Sequence, residues 1–224
     1  MNYTRNSPSP RYRSLTGLYQ RMHREGETTL NIPAQDTFPG MSLFPQLRQV
    51  RRMIERTRAR TILDYGSGKG LQYRPQPVRV EGEPGRWDTV ADYWDVDYVA
   101  CYDPCYAPFS ELPGTRFDGV ICTDVLEHCP EEDLPWIVGE LFGFAEKFVF
   151  ASIAGYPARK RLPSGENAHC TLRPLSWWQD LFAGTAAGKP HLLWQIRYFR
   201  RADTAEAGPL VVEQVGSAEL GDPP

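Results

Sequence analysis

The chain has 224 residues, 25 basic against 28 acidic side chains for a net charge of −3, and 5 cysteines. That length suits one α/β domain with a sizeable core. The charge balance excludes a global basic field that would draw the chain to nucleic acid, and the odd, irregularly spaced cysteines exclude a disulfide framework.

Residues 1–13 are rich in Ser, Pro and Arg and are expected to form a disordered tail. They lack the apolar core of a signal peptide. Ser14 to Glu25 predicts a helix with Leu15, Leu18, Tyr19 and Met22 on one face, and Tyr19, His23 and Glu25 are candidate lid residues. After Pro33, Pro39 and Gly40, Ser42 is the expected N-cap of a helix running to about Ala59, with Leu43, Leu47, Val50 and Ile54 as its apolar stripe. Arg48, Arg51, Arg52, Arg56, Arg58 and Arg60 point around several sides of that helix, so a solvated face is expected rather than a nucleic-acid surface.

Thr61 to Tyr65 is a short apolar run ending in Asp64 and Tyr65, followed at once by Gly66, Gly68 and Gly70. It reads as a buried parallel strand feeding a tight turn on which a ligand can lie against backbone. Lys69 is followed by Gly70 rather than Ser or Thr, which excludes a P-loop, and Leu71 stands where a dinucleotide fingerprint needs glycine. Pro75, Pro77 and Pro84 exclude an uninterrupted helix before the next strand, Tyr98 to Asp103. The segment from Asp103 to Phe117 is short. Phe117 to Thr123 and Lys147 to Ile153 read as strands flanking a helix over Glu131–Glu146, with Leu134, Ile137, Val138, Leu141 and Ala145 inward. The long basic loop from Gly155 to His169 is costly to order unless it has a task, and His169 can titrate near working pH. Leu175–Ala186 predicts a helix, and His191–Arg200 with Leu210–Val215 a closing antiparallel hairpin. Residues 217–224 read as a flexible tail. Glu140, Glu146 and Lys147 interrupt the best apolar run, so no membrane insertion and a cytoplasmic location are expected.

Asp64-x-Gly66-x-Gly68-x-Gly70 resembles motif I of the class I S-adenosylmethionine (SAM)-dependent methyltransferases. Asp103 at the end of the next strand and Phe117-Asp118-Gly119-Val120 running on to Val125-Leu126-Glu127-His128-Cys129-Pro130 resemble later segments of that family, in the same order. The resemblance implies an α/β, doubly wound, mostly parallel seven-stranded Rossmann-like sheet. Cap helices would span 14–59, the core 60–216, and a C-terminal antiparallel hairpin would close the sheet. It implies SAM as cofactor, held by Asp64, Gly66, Gly68, Gly70, Asp103, Asp124 and Val125, with Asp103 accepting from the ribose hydroxyls. His169 and His128 are the candidate general bases; Tyr156, Arg159 and His23 are candidate contacts to the acceptor. The nearest similarity is to bacterial enzymes that methylate oxygen or nitrogen of small molecules, sugars or lipids. The amino-methylating motif of nucleic-acid enzymes is replaced by Cys122-Thr123-Asp124-Val125, so no nucleic-acid partner is expected. The Cys and His spacings match no zinc module, and no metal is expected. The competing readings are a non-catalytic SAM-fold binding or regulatory protein, an RNA-directed methyltransferase using the arginine helix, and a nucleotide-dependent oxidoreductase on a similar sheet.

Overall fold

The computed structural model describes residues 3–202 and 209–217. Its frame is a six-stranded sheet ordered β2-β1-β3-β4-β5-β6. The strands are β1 (Thr61–Tyr65), β2 (Tyr98–Tyr102), β3 (Phe117–Thr123), β4 (Ala145–Ala154), β5 (Leu193–Arg201) and β6 (Leu210–Gly216). The strands from β1 to β5 run parallel, and β6 reverses against β5, giving the expected C-terminal hairpin. The expected seventh strand is absent among the described residues. From Asp103 to Arg116 the chain makes only a short 3-10 turn at Ala107–Phe109. Pro104, Pro108 and Pro113 each remove a backbone donor there, which leaves no stretch able to complete a ladder.

Strand alternation sets the two faces. Leu63, Val120, Val149 and Ile196 meet α4 (Leu134–Phe144) and α5 (Leu175–Ala186) on one side. Ile62, Ile121, Phe148 and Phe150 meet α2 (Leu47–Thr57) and α3 (Val90–Trp94) on the other. All these strand side chains are fully buried, each contributing about 1.5–3 kcal/mol of hydrophobic stabilisation.

Four segments depart from the sequence expectation at their ends. Helix α1 spans Pro10–Glu25, because Ser9 Oγ accepts from Tyr12 N at 2.9 Å and Pro10 is pre-set for the first turn. Residues 3–13 are therefore not the expected tail. Ser9 N donates to Asp133 Oδ1, and Arg5 is held by Glu140, Tyr65 and Tyr102. Ser42 does not cap a helix; Met41–Gln46 is a 3-10 turn containing Pro45, and α2 begins only at Leu47. Strand β4 begins at Ala145, so α4 ends before Glu146. Ser217, placed in the expected tail, closes the hairpin by donating to Trp194 O at 3.0 Å; the rest of that tail lies outside the described residues.

The predicted core stripe of α2 is buried throughout. Among its arginines, Arg51 pairs with Glu55 and Glu83, Arg48 with Glu83, and Arg60, just beyond the helix, with Asp95 and Asp97. No described helix is long and apolar enough to cross a membrane.

Candidate functional site

Chain order reverses between β1 and β3, since β2 lies on one side of β1 and every later strand on the other. Loops at the carboxyl ends of such a pair diverge and leave a crevice. Here that crevice is a cavity of about 690 Å³, within the range that takes a small ligand.

One wall comes from the loop after β1. Gly66 has φ +87°, and a Cβ there would lie 2.5 Å from Val125 Cγ2, so only glycine lets the β1 and β3 loops close on each other. Gly68 also lines the cavity, but a Cβ there would strike Phe38 O at 2.3 Å. The segment before α2 thus rests on the glycine loop, held by Lys69 N donating to Phe38 O and Lys69 Nζ to Thr37 O. Two residues of the motif do not line the cavity. Gly70 faces Phe109 and Cys101. Asp64 is buried behind the loop, where its Oδ2 accepts from Tyr73 OH and Gln72 Nε2 while Oδ1 has no partner.

Asp103, just past β2, does line the cavity. Its Oδ2 accepts from Gly68 N at 2.9 Å and its Oδ1 from Cys105 N at 2.8 Å. Burial pushes its carboxyl up to about 6, against the pull of those donors and of Lys69. Each oxygen has two acceptor sites, so a ligand hydroxyl can still be taken.

The opposite wall is the turn after β3. Thr123, Asp124 and Val125 line the cavity. Asp124 has φ +61°, left-handed backbone that costs a non-glycine residue on the order of 1 kcal/mol. Asp124 N donates to Ser152 O at 3.0 Å, which holds the turn in that state. Glu127 has a structural task. Its Oε1 accepts from Ala154 N at 2.6 Å, and its carbonyl accepts from Cys170 N and Thr171 N. Those bonds tie the turn to the end of the long loop. Burial first and the Asp124 charge second hold the Glu127 carboxyl well above the usual range, and its Oε2 has no hydrogen-bond partner.

His128 and His169, far apart in sequence, stand edge to face with ring centroids 4.7 Å apart. His128 Nδ1 lies 2.9 Å from Ala168 O and 2.7 Å from Tyr19 OH. His169 Nδ1 lies 2.6 Å from Tyr156 O. A carbonyl only accepts, so His169 Nδ1 carries the proton; Tyr19 OH gives its single proton to Ala168 O at 3.0 Å, so His128 Nδ1 is a donor too, and both lone pairs sit on Nε2. Burial, then the neighbouring His169, lowers His128 to about 4.

Helix α1 and the long loop close the cavity. They pack together through Leu15, Met22, Leu162 and Ala168. Tyr12, Tyr19 and His23 line it from α1, and Tyr156, Arg159 and Lys160 from the loop. His23 is lowered to about 4 by burial and by Lys69, and it stacks on Tyr106. Glu25 is not at the site; it pairs with Arg21 on the surface. Neither Tyr12 nor Phe38 stands out in the sequence, whereas Lys160 belongs to the basic run Arg159–Arg161, whose side chains could grip an anionic substrate. The spacing of Tyr12, Tyr19 and His23 along α1 marks one helical face, which was the available signal for Tyr12. Among the cysteines only Cys105 and Cys129 line the cavity, and all five are free thiols. No protein-family model, no curated protein and no solved structure matches this chain.

Proposed function

We propose that this chain is a SAM-dependent methyltransferase of the class I, Rossmann-like type, acting on oxygen or nitrogen of a small-molecule, sugar or lipid acceptor. The observation that carries this reading is the meeting, around one cavity at the β1/β3 reversal, of Gly66 and Gly68, of Asp103, and of Thr123–Val125.

The residues present fit the cofactor. Gly66 and Gly68 bring backbone without side chains to one wall of the cavity, and Asp103 offers acceptor sites suited to paired ribose hydroxyls. Val125 sits against Gly66 and bounds the space between the loops. When bound, SAM supplies a methyl group activated on a sulfonium, which passes to a nucleophile while the broken C–S bond's electron pair stays on sulfur. The chain's part is to orient and to keep water out. Tyr12, Tyr19 and Phe38 give the cavity an aromatic wall. His128 and His169 present Nε2 lone pairs at the same wall as Asp124, where either can take the proton of an acceptor hydroxyl. Arg159 and Tyr156 also line the cavity and are the side chains offered to the acceptor.

Calorimetric titration with SAM and S-adenosylhomocysteine, with NADH and ATP as controls, tests the reading. Selective binding of the first two is expected; binding of NADH alone, or of none, overturns it. The pH dependence is a second expectation. Asp103 must be ionised to accept two hydroxyls, and its carboxyl sits at about 6. Affinity should rise about tenfold per pH unit below pH 6 and level off above it. Stability should move the other way. Asp64 and Asp103 both lie near 6 when folded, above their ordinary 3.8. The stability this gives is full below about pH 4 and is lost as pH rises to about 6. Calorimetry and urea unfolding across pH 4–8 read the two slopes separately; an affinity that is flat across pH 5–7 would remove Asp103 from the cofactor site.

A further inference from the structure

We infer that Asp124, His128 and His169 form a binding site for one divalent transition-metal ion. Each residue offers one ligand atom, and the three atoms lie within 4.8 Å of one another. Ligands about 2.1 Å from one tetrahedral ion lie about 3.4 Å apart, so a pair at the 4.8 Å limit closes on a metal with side-chain rotations that move the ligand atoms by about 1 Å.

Independent features of the fold prepare the set for an ion. The backbone carbonyls of Ala168 and Tyr156 hold the Nδ1 protons of the imidazoles. Backbone acceptors of this kind fix the tautomer and aim the other nitrogen at a metal. The Nε2 lone pairs therefore need an electrophile or a donor. Asp124 is kept at the tip of β3 in left-handed backbone at φ +61°, fixed there by its N–H donating to Ser152 O at 3.0 Å. Beside this set, Glu127 Oε2 is buried with no partner one residue before His128. Lys160 also lies near enough to Asp124 to feel its charge. Its ammonium can serve a carboxylate, but a single ammonium does not bring two imidazole lone pairs and a carboxylate to one point as an ion does.

All three residues line the cavity, so a bound ion would keep coordination positions open to a ligand. Two imidazoles and one carboxylate select zinc, iron, cobalt, nickel or manganese over magnesium and calcium, which prefer oxygen-only shells. What the ion does there rests on the methyl-transfer reading: it would replace the imidazoles as the means of activating the acceptor, taking an acceptor hydroxyl as a further ligand and lowering its pKa, the proton leaving to solvent. The site itself does not depend on that reading.

The test is a titration of the chelator-treated full chain with Co²⁺ alone, without SAM or acceptor, followed by competition with Zn²⁺, Mn²⁺ and Mg²⁺. One equivalent of Co²⁺ is expected, with visible d–d bands, no strong thiolate-to-cobalt band in the near ultraviolet, and displacement by Zn²⁺ but not by Mg²⁺. Asp124→Asn and His169→Gln should each weaken Co²⁺ binding more than about tenfold. Asn adopts left-handed backbone as readily as Asp, so Asp124→Asn keeps the turn even where His169→Gln loosens the loop. Circular dichroism confirms the fold of each variant. No uptake, uptake with a thiolate band, or uptake unchanged in folded Asp124→Asn overturns the site. SAM binding is measured separately, so failure of the metal site and failure of the methyltransferase reading give different results.

Discussion

Asp103→Asn is expected to weaken SAM binding by about a hundredfold or more while leaving the chain folded. The carboxylate stands between the glycine loop and the cavity, accepting from Gly68 N at 2.9 Å and Cys105 N at 2.8 Å. Both oxygens are needed as acceptors on the protein side, and the remaining lone pairs face the space a ribose would fill. An amide of the same shape has one acceptor oxygen and turns an NH₂ toward either a backbone N–H or a ligand hydroxyl. Loss of hydrogen bonds to a charged acceptor, at about 1.5–3 kcal/mol each for a pair of hydroxyls, amounts to about 3–6 kcal/mol, which is where the hundredfold comes from. Calorimetry on the folded variant measures it. A fall in unfolding stability with affinity changed less than about threefold would make Asp103 an anchor of the glycine loop only.

The parts of the fold that were legible in the sequence are those written in local periodicity. Ile62-Leu63 and Val120-Ile121 alternate between two apolar layers, so their strands could be read at once. The helix at Leu175–Ala186 was legible to the residue because Pro174 fixes its start and Gly188 and Lys189-Pro190 follow its end. The start of α1 departs from expectation although Ser9-Pro10 is a capping signature, because the polar composition around it resembles a tail. What orders that stretch is contact with Glu140 and Asp133, more than 120 residues away, which no local pattern encodes. The site divides the same way. Asp103, Asp124, His128 and His169 could be named from motif and loop, and they meet at one cavity. The glycine motif could not separate Gly66 and Gly68, which line that cavity, from Asp64 and Gly70, which hold the loop from behind. The approach of Phe38 and Lys160 depends on how α1 docks, so it was not readable before the docking was known. The pairing of His128 with His169 likewise needs the hydrogen bonds that Glu127 makes to the far end of the loop.

Arg5→Ala should destabilise the chain by about 2–4 kcal/mol, although the residue lies in what composition marks as a tail. The guanidinium forms a two-pronged pair with Glu140 and donates to Tyr102 OH and Tyr65 OH, each at 2.9 Å. Tyr65 OH in turn donates to Glu140 Oε2 at 2.8 Å. Burial works against the charge, yet Glu140 and the two tyrosines hold the guanidinium's pKa above its ordinary value. Its Cζ also lies 5.3 Å from the Trp136 ring centroid. Truncation leaves Glu140, only 20% exposed, without its cation, which is the costly half of breaking such a pair. A chain of this length should lose about 5–15 °C in thermal midpoint. Arg11→Ala is the control, because its pair with Glu166 is exposed at 43% and 45% and such pairs contribute about 0–1 kcal/mol. The loss has a functional edge. Arg5 fastens the segment that leads into α1, and Tyr12, Tyr19 and His23 of α1 wall the cavity. SAM affinity in Arg5→Ala should therefore fall along with stability, and saturating SAM should recover part of the lost midpoint. Equal unfolding midpoints for Arg5→Ala and Arg11→Ala would mean that α1 docks through its apolar face alone.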